Sequence, residues 1–288
     1  MKRVLLVYKK SARHVPAIGF QKGRRVPSVG SEFIHRDLER IRRAHRAHLR
    51  TLEEVLREIR RRHLAVKMAY RVSAHDLASY DLVISVGGDG TFLEAARAVR
   101  SQQVLGVNSD PDRSVGSFCG ADGRTFAKVL DRVLAGRVRA TPLPRAMLEI
   151  NGKGEGIHFL NDLLITHRRP AAMSRYWVQI GTEKEEHRSS GLWISTAAGS
   201  TGAIQSAGGR RMPVASRALQ YRPRELYHGV QSRYRLTGGI VACGKKILVG
   251  SLMQDGMICI DGEHQALPFR YGDFLRVVPS PYPLNWIA

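Results

Sequence analysis

Five consecutive residues, Gly87-Gly88-Asp89-Gly90-Thr91, are the part of the chain best suited to chemistry. They follow an apolar, β-prone run at residues 82–86 and open a helical stretch at 92–99. Glycines let the backbone approach a phosphate closely, and the unpaired amides at a helix start attract anionic oxygen. Gly87, Gly88, Gly90 and Thr91 are therefore expected to form a phosphate-binding turn. A carboxylate in such a turn repels its anion unless a cation or a proton-transfer role compensates. Asp89 accordingly reads as a general base or a metal-linked group. Its plainer reading is a helix N-cap, although a cap does not require flanking glycines. The turn is not a Walker A loop, which needs Gly-Lys-Ser/Thr, nor does it match Gly-x-Gly-x-x-Gly.

Further motifs follow in order: Leu105-Gly106-Val107-Asn108, Leu160-Asn161-Asp162, and Ser195-Thr196-Ala197-Ala198-Gly199-Ser200-Thr201-Gly202 followed by Ser206-Ala207-Gly208-Gly209. The glycine turn alone resembles a signature shared by NAD kinases, diacylglycerol and sphingosine kinases and, in a related form, phosphofructokinases. With the other motifs in this order, the chain resembles the NAD kinase family through roughly two-thirds of its length.

That resemblance implies phosphoryl transfer from ATP, with Mg²⁺, to the adenosine-ribose 2′-hydroxyl of NAD, giving NADP. It makes Asp89 the base for that hydroxyl and places Asn161 and Asp162 on the adenine and ribose. The segment from Gly199 to Ser206, with Thr201, Gly202 and Ser206, would help enclose the dinucleotide. A homo-oligomer, dimer or tetramer, is implied in the same way. The chemistry suits these residue types: an amide both donates to and accepts from an adenine edge, and a carboxylate accepts ribose hydroxyls. The alternative for Asn161 and Asp162 is turn chemistry at a strand entry.

The chain also departs from the family pattern. Asn161-Asp162 stands where the family usually has Asn-Glu, Ser190-Gly191 where many members have Asp-Gly, and Thr201-Gly202-Ala203 where they have Thr-Ala-Tyr. The loop from Asn108 through Ser114 is longer than the usual bacterial version, and with Ser189-Ser190-Gly191 it looks more like the mitochondrial-type branch. Asp261-Gly262 also resembles a family element, but Asp-Gly is the commonest hairpin turn signal and receives no catalytic role here.

The elements that must position these residues fall into two textures. Residues 1–141 alternate strands (4–8, 64–69, 82–86, 104–107) with helices (32–62, 92–99, and 122–134 capped by Asp122), as expected for an α/β domain with an open, mostly parallel sheet. Residues 16–31 read as a loop. Residues 142–288 carry short β-prone runs at 146–150, 159–166, 176–180, 192–195, 247–251, 257–260 and 274–278, the pattern of an all-β, sandwich-like domain. The arginine-rich stretch 210–235 is unassigned. In the long first helix, Leu38, Ile41, Leu49, Leu52, Val55, Leu56 and Ile59 form one apolar stripe expected to face the sheet. His45 and His48 near it are read as packing residues.

Composition narrows the partners. No run approaches the ~20 apolar residues of a membrane span. The basic-then-apolar start at residues 2–8 is too short for a signal peptide and reads as a strand. Three widely spaced cysteines fit neither a disulfide framework nor a zinc site, so a reducing cytoplasm is expected and no protein-held metal site is assigned. A net charge of +21 points to anionic partners. A solvated helix face is preferred to a nucleic-acid arm for the arginines of residues 36–62. Two alternatives stand beside the NAD kinase reading: a lipid kinase of the same superfamily, and a basic nucleic-acid-binding protein without turnover.

Overall fold

Arg3–Tyr8 (β1) and Leu82–Gly87 (β3) have the near-continuous apolar character of strands covered on both faces, and every residue of β3 is buried. In the computed structural model, which describes residues 3–9, 31–70, 74–229, 233–263 and 265–288, they are neighbours in a seven-stranded sheet. The chain divides into two units, Met1–Thr141 with Asn285–Ala288, and Pro142–Leu284.

The first unit runs β1, α1 (Ser31–Arg61), β2 (Ala65–Ala69), β3, α2 (Asp89–Ala98), β4 (Gln103–Asn108), β5 (Cys119–Asp122), α3 (Phe126–Leu134) and β6 (Thr141–Leu143). The sheet order is β2-β1-β3-β4-β19-β6, with β5 also on β4, where β19 is the strand Leu284–Ile287 at the end of the chain. β2, β1, β3, β4, β5 and β19 pair in parallel. The expectation that residues 142–288 lie together is corrected here. Residues 285–287 pair with residues 103–105 of β4, and the Trp286 indole donates to the Phe118 carbonyl at 2.9 Å.

The apolar stripe of α1 is buried only in its second half. Leu52, Val55 and Ile59 pack against the sheet, whereas Leu49 and Phe33 are exposed. The helix outruns the sheet: at 1.5 Å per residue, 31 residues span roughly 46 Å, far more than a six-residue strand. α3 begins at Phe126 rather than at Asp122, whose carboxylate instead accepts the amides of Arg124 and Thr125 in the preceding turn, both at 2.9 Å. The predicted loop at residues 16–31 lies outside the described residues apart from Ser31.

The second unit is a pair of antiparallel six-stranded sheets with the core between them. It contains β7 (Ala146–Ile150), β8 (Lys153–Phe159), β9 (Asp162–His167), β10 (Ser174–Ile180), β11 (Glu183–Ser189), β12 (Gly191–Ser195), a short helix α4 (Ala203–Ser206), β13 (Leu219–Arg224), β14 (Gly239–Val241), β15 (Ile247–Ser251), β16 (Gly256–Ile260), β17 (Ala266–Pro268) and β18 (Phe274–Pro279). The sheet orders are β11-β10-β15-β18-β7-β8 and β14-β13-β12-β9-β16-β17. Leu148, Val178, Val249 and Leu275 of one sheet share a core with Leu163, Ile194, Ile258 and Ile260 of the other. The single run expected at residues 159–166 is broken at Leu160-Asn161, where the chain leaves one sheet and enters the other. β11 and β13 escape sequence reading because a charged edge strand and an arginine-rich one lack clean apolar alternation. Among the described residues, no helix is long and apolar enough to cross a membrane.

Candidate active site

In the first unit the glycine turn sits where β3 ends and α2 begins. Gly88 is the N-cap, with no side-chain capping bond, and Asp89 is the first helical residue. The Thr91 and Phe92 amides donate to the Gly88 carbonyl at 3.1 and 3.2 Å, whereas the amides of Asp89 and Gly90 have no acceptor within the helix, and the helix dipole makes the region partly positive. The three glycines differ in what surrounds them. A Cβ on Gly87 would strike the buried Thr91 side chain, and one on Gly88 would come within 2.7 Å of the Ser114 hydroxyl. A Cβ on Gly90 would meet nothing within 4 Å. Internal packing explains Gly87 and Gly88, while Gly90 borders open space.

Asp89 does not cap its own helix. Its carboxylate accepts the amide of Ser117 at 3.1 Å and that of Phe118 at 2.9 Å, tying the loop after β4 to the start of α2. Two lone-pair sites of the carboxylate remain available beyond these bonds. Cys119, beside it, has its thiol pushed up to about 12 by burial and by the negative charge of Asp89. It is therefore an inert thiol at neutral pH. The loop is braced again by Asn108, whose side chain accepts the Asp110 amide at 3.1 Å and donates to the Ser114 carbonyl at 2.9 Å. Sequence reading singled out Asn108 as part of a motif without seeing this bracing.

In the second unit, the sheet change at Leu160-Asn161 leaves backbone groups without strand partners, and side chains take them. The Asn161 carbonyl accepts the Thr196 amide at 2.9 Å and the Ser195 hydroxyl at 3.1 Å, and the Thr196 hydroxyl donates to the Leu160 carbonyl. Gly199 packs so tightly on the Asn161 backbone that any side chain there would collide with it. A Cβ on Gly202 would lie 3.8 Å from Asp162 Oδ2, so Gly202 and Asp162 are neighbours. Asn161 Oδ1 is buried and has no hydrogen-bond partner among the described residues. A buried amide oxygen without a partner is costly and keeps its capacity to accept a hydrogen bond.

Of the residues expected to enclose a ligand, Asn161, Asp162 and Gly202 are brought together. Thr201 is the exposed last residue of a short 3-10 turn, Ala198–Thr201, whose other residues are buried, and Gly202 follows it. Ser206 is exposed at the end of α4, and no contact joins it to Asn161 or Asp162 among the described residues.

The residue that sequence reading noted but gave no role is Asp261. It does form a turn, with a positive φ of 49°, but its buried carboxylate faces inward. It accepts the amides of Leu160 at 3.1 Å, Asn161 at 2.7 Å and Asp162 at 3.3 Å, and its own amide donates to the Asp162 carbonyl at 2.9 Å. Asp261 therefore fixes the backbone that carries both Asn161 and Asp162. Burial, and secondarily the charge of Asp261, push the Asp162 carboxyl up to about 7. The sequence signals were an Asp-Gly pair, which hairpins also produce, and its resemblance to a family element, and neither shows where the carboxylate points.

Residues 33–138 match the model of the ATP-NAD kinase N-terminal domain. A probable NADH kinase from Oryza sativa subsp. japonica is 38% identical over 225 residues, covering 70% of this chain and 68% of that protein. An NADH kinase from Arabidopsis thaliana is 43% identical over 182 residues, covering 53% of this chain but only 55% of its own length. A crystal structure of yeast NADH kinase complexed with NADH superposes with a TM-score of 0.71 at 16% identity, covering 100% of this chain and 83% of that one, a likeness that concerns the fold. With its glycine turn intact and more than two-thirds of the rice relative matched at this identity, the chain belongs to the NAD kinase family.

Proposed function

We propose that this protein transfers the γ-phosphoryl group of ATP to the adenosine-ribose 2′-hydroxyl of NAD, with Asp89 as general base. The observation that carries the reading is a carboxylate on the first helical residue of a glycine turn, beside a glycine that borders open space. The first-turn amides suit the negative charge of a phosphoryl group in transfer, and a carboxylate at that point suits removal of a hydroxyl proton. Gly87, Gly88, Gly90 and Thr91 are assigned to phosphate binding. Asn161, Asp162, Thr201, Gly202 and Ser206 are assigned to NAD. Asn161 Oδ1, buried and unpaired, fits an adenine amino donor, and Asp162 fits ribose hydroxyls.

Among the described residues, no group of three or more His, Cys, Asp or Glu side chains is placed to hold a metal ion. Mg²⁺ in this reading comes with ATP and is held by the phosphates, where it neutralises charge on the transferring group. The three cysteines are free, which fits a reducing cytoplasm. A homo-oligomer belongs to the same reading, on the family resemblance. Membership of the NAD kinase family sets aside the lipid-kinase alternative.

The test is NADP formation from NAD, ATP and Mg²⁺, read by an NADP-specific dehydrogenase. NADH is offered in parallel, because both plant relatives are named NADH kinases. Asp89→Asn should lower kcat by ~10²- to 10⁴-fold, the usual share of general-base catalysis, with the fold retained. Near-normal turnover in that variant would remove Asp89 from the role.

A further inference from the structure

The arginines of α1 are left unexplained by the reaction as described. α1 runs antiparallel to the strands, and its Thr51 hydroxyl meets the carbonyl of Ser109, the residue after β4, at 3.4 Å. Residues 31–50 of α1 therefore project beyond the carboxyl ends of the strands, the edge of an open α/β sheet at which ligands bind. The glycine turn opens at the same edge.

On this projecting half, His35, Arg36, Glu39, Arg40 and Arg43 line a groove of about 440 Å³, and the loop after β4 closes it with Arg113. Arg113 adjoins Ser114, whose hydroxyl packs against Gly88 of the turn. One short loop thus connects the groove to the phosphate turn.

Four guanidiniums face one carboxylate in the groove, and that carboxylate, Glu39, is bound by Arg42 at 2.9 Å. Arg40 pairs with Asp37 at 2.8 Å, Arg36 with Glu32 at 3.8 Å and Arg113 with Asp110 at 3.0 Å, while Arg43 makes no ion pair among the described residues. The Arg36 and Arg40 pairs are exposed, weak and easily exchanged, whereas Arg113 is held by the buried Asp110 carboxylate, which fixes its guanidinium at the groove. Each guanidinium also has more N–H groups than one carboxylate can take, and their planar forks match phosphate oxygens. A plain solvated helix face would not gather Arg113 from a separate loop onto the same groove.

We propose that this groove is a docking site for the phosphate chain of the donor nucleotide, with Arg43 and Arg113 as its principal contacts. The identity of the donor rests on the phosphotransfer reading, whereas the anion-binding chemistry does not.

Inorganic triphosphate titrated calorimetrically into the full chain, without NAD, is the direct probe. Arg43→Gln/Arg113→Gln should weaken its binding about tenfold, the loss of charge-assisted contacts, with Arg43→Gln alone giving part of that loss. The KM for ATP should rise about tenfold in the double variant while that for NAD stays within about twofold. The single variant lies on an exposed helix face and leaves the loop after β4 untouched. Arg57→Gln removes the same charge from α1 away from the groove and should change neither value. Unchanged triphosphate binding in the double variant, or an equal loss with Arg57→Gln, overturns the proposal. So does loss of single-stranded oligonucleotide binding in the double variant while triphosphate binding is unaffected. A protein that makes no NADP yet binds triphosphate through these arginines would sustain the groove and remove the kinase reading.

Discussion

Replacing Asp261 by alanine removes the acceptor for three backbone amides at the point where the chain changes sheets. The Leu160 and Asn161 bonds, at 3.1 and 2.7 Å, are the well-formed ones, and that at 3.3 Å from Asp162 is marginal. A buried donor left without its acceptor costs about 1–3 kcal/mol, so two such losses give a destabilisation on the order of 2–6 kcal/mol. Part of this is offset, because the substitution also removes a like charge beside Asp162.

Asp261→Asn keeps one carbonyl oxygen and should cost about half as much. These two contributions have different signatures. Urea denaturation reads the first. The second appears in the pH dependence of kcat/KM for NAD. If the ionised form of Asp162 receives the ribose hydroxyls, kcat/KM should rise as pH passes through about 7 in the unmodified chain. The midpoint should move to lower pH in Asp261→Asn, though not to the ordinary aspartate value, because burial remains the larger cause. KM for NAD should rise about tenfold in Asp261→Ala as the Asn161-Asp162 backbone loosens. Stability within about 0.5 kcal/mol of the parent in Asp261→Ala, with an unmoved pH midpoint in Asp261→Asn, would refute the reasoning.

Gly90→Ala should fold as well as the parent or gain a few tenths of a kcal/mol, since a Cβ there meets nothing within 4 Å and alanine is the better helix former. If phosphate approaches that backbone, the same variant should lose about tenfold or more in kcat/KM for ATP, and steady-state kinetics beside a thermal melt checks both. His48 is buried, with Nε2 donating to the Lys9 carbonyl at 3.1 Å and Nδ1 without a partner, and burial first, then the charge of Lys9, hold its pKa down to about 4. The folded state therefore resists protonation that the unfolded state accepts. Stability is full above pH 6.5 and should fall by roughly 1–3 kcal/mol as pH drops from 6.5 towards 4. His48→Gln should flatten that part of the denaturation profile, and an unchanged slope would argue against His48 as its source.

Much of the first unit was legible because buried parallel strands are near-continuous apolar runs and the helices between them have the 3.6-residue period. β1, β3, α1 and α2 are recoverable within a few residues. What could not be read was how far α1 is covered. Leu38, Ile41 and Leu49 fall on the same helical stripe as Leu52, Val55 and Ile59, and a stripe does not record where a sheet ends. The turn at Asp89 was legible as chemistry, but the partners of its carboxylate, Ser117 and Phe118, lie 28 and 29 residues on and carry no sequence mark, because their contribution is backbone.

The second unit shows the same division. Asn161-Asp162 stood out by residue type, and the order of the glycine and hydroxyl motifs identified the family. Residue types, their local spacing and their order along the chain determined the fold class, the phosphate turn and the kinase resemblance, since these depend on local periodicity and short-range backbone geometry. Only the tertiary structure decided that Asp261 holds Asn161 and Asp162 from about 100 residues away, that residues 285–287 complete the first sheet, and that Arg113 joins the arginines of α1. Those are contacts between groups remote in sequence, fixed by packing and by the need of buried amides for acceptors, and such needs leave no pattern in a linear sequence.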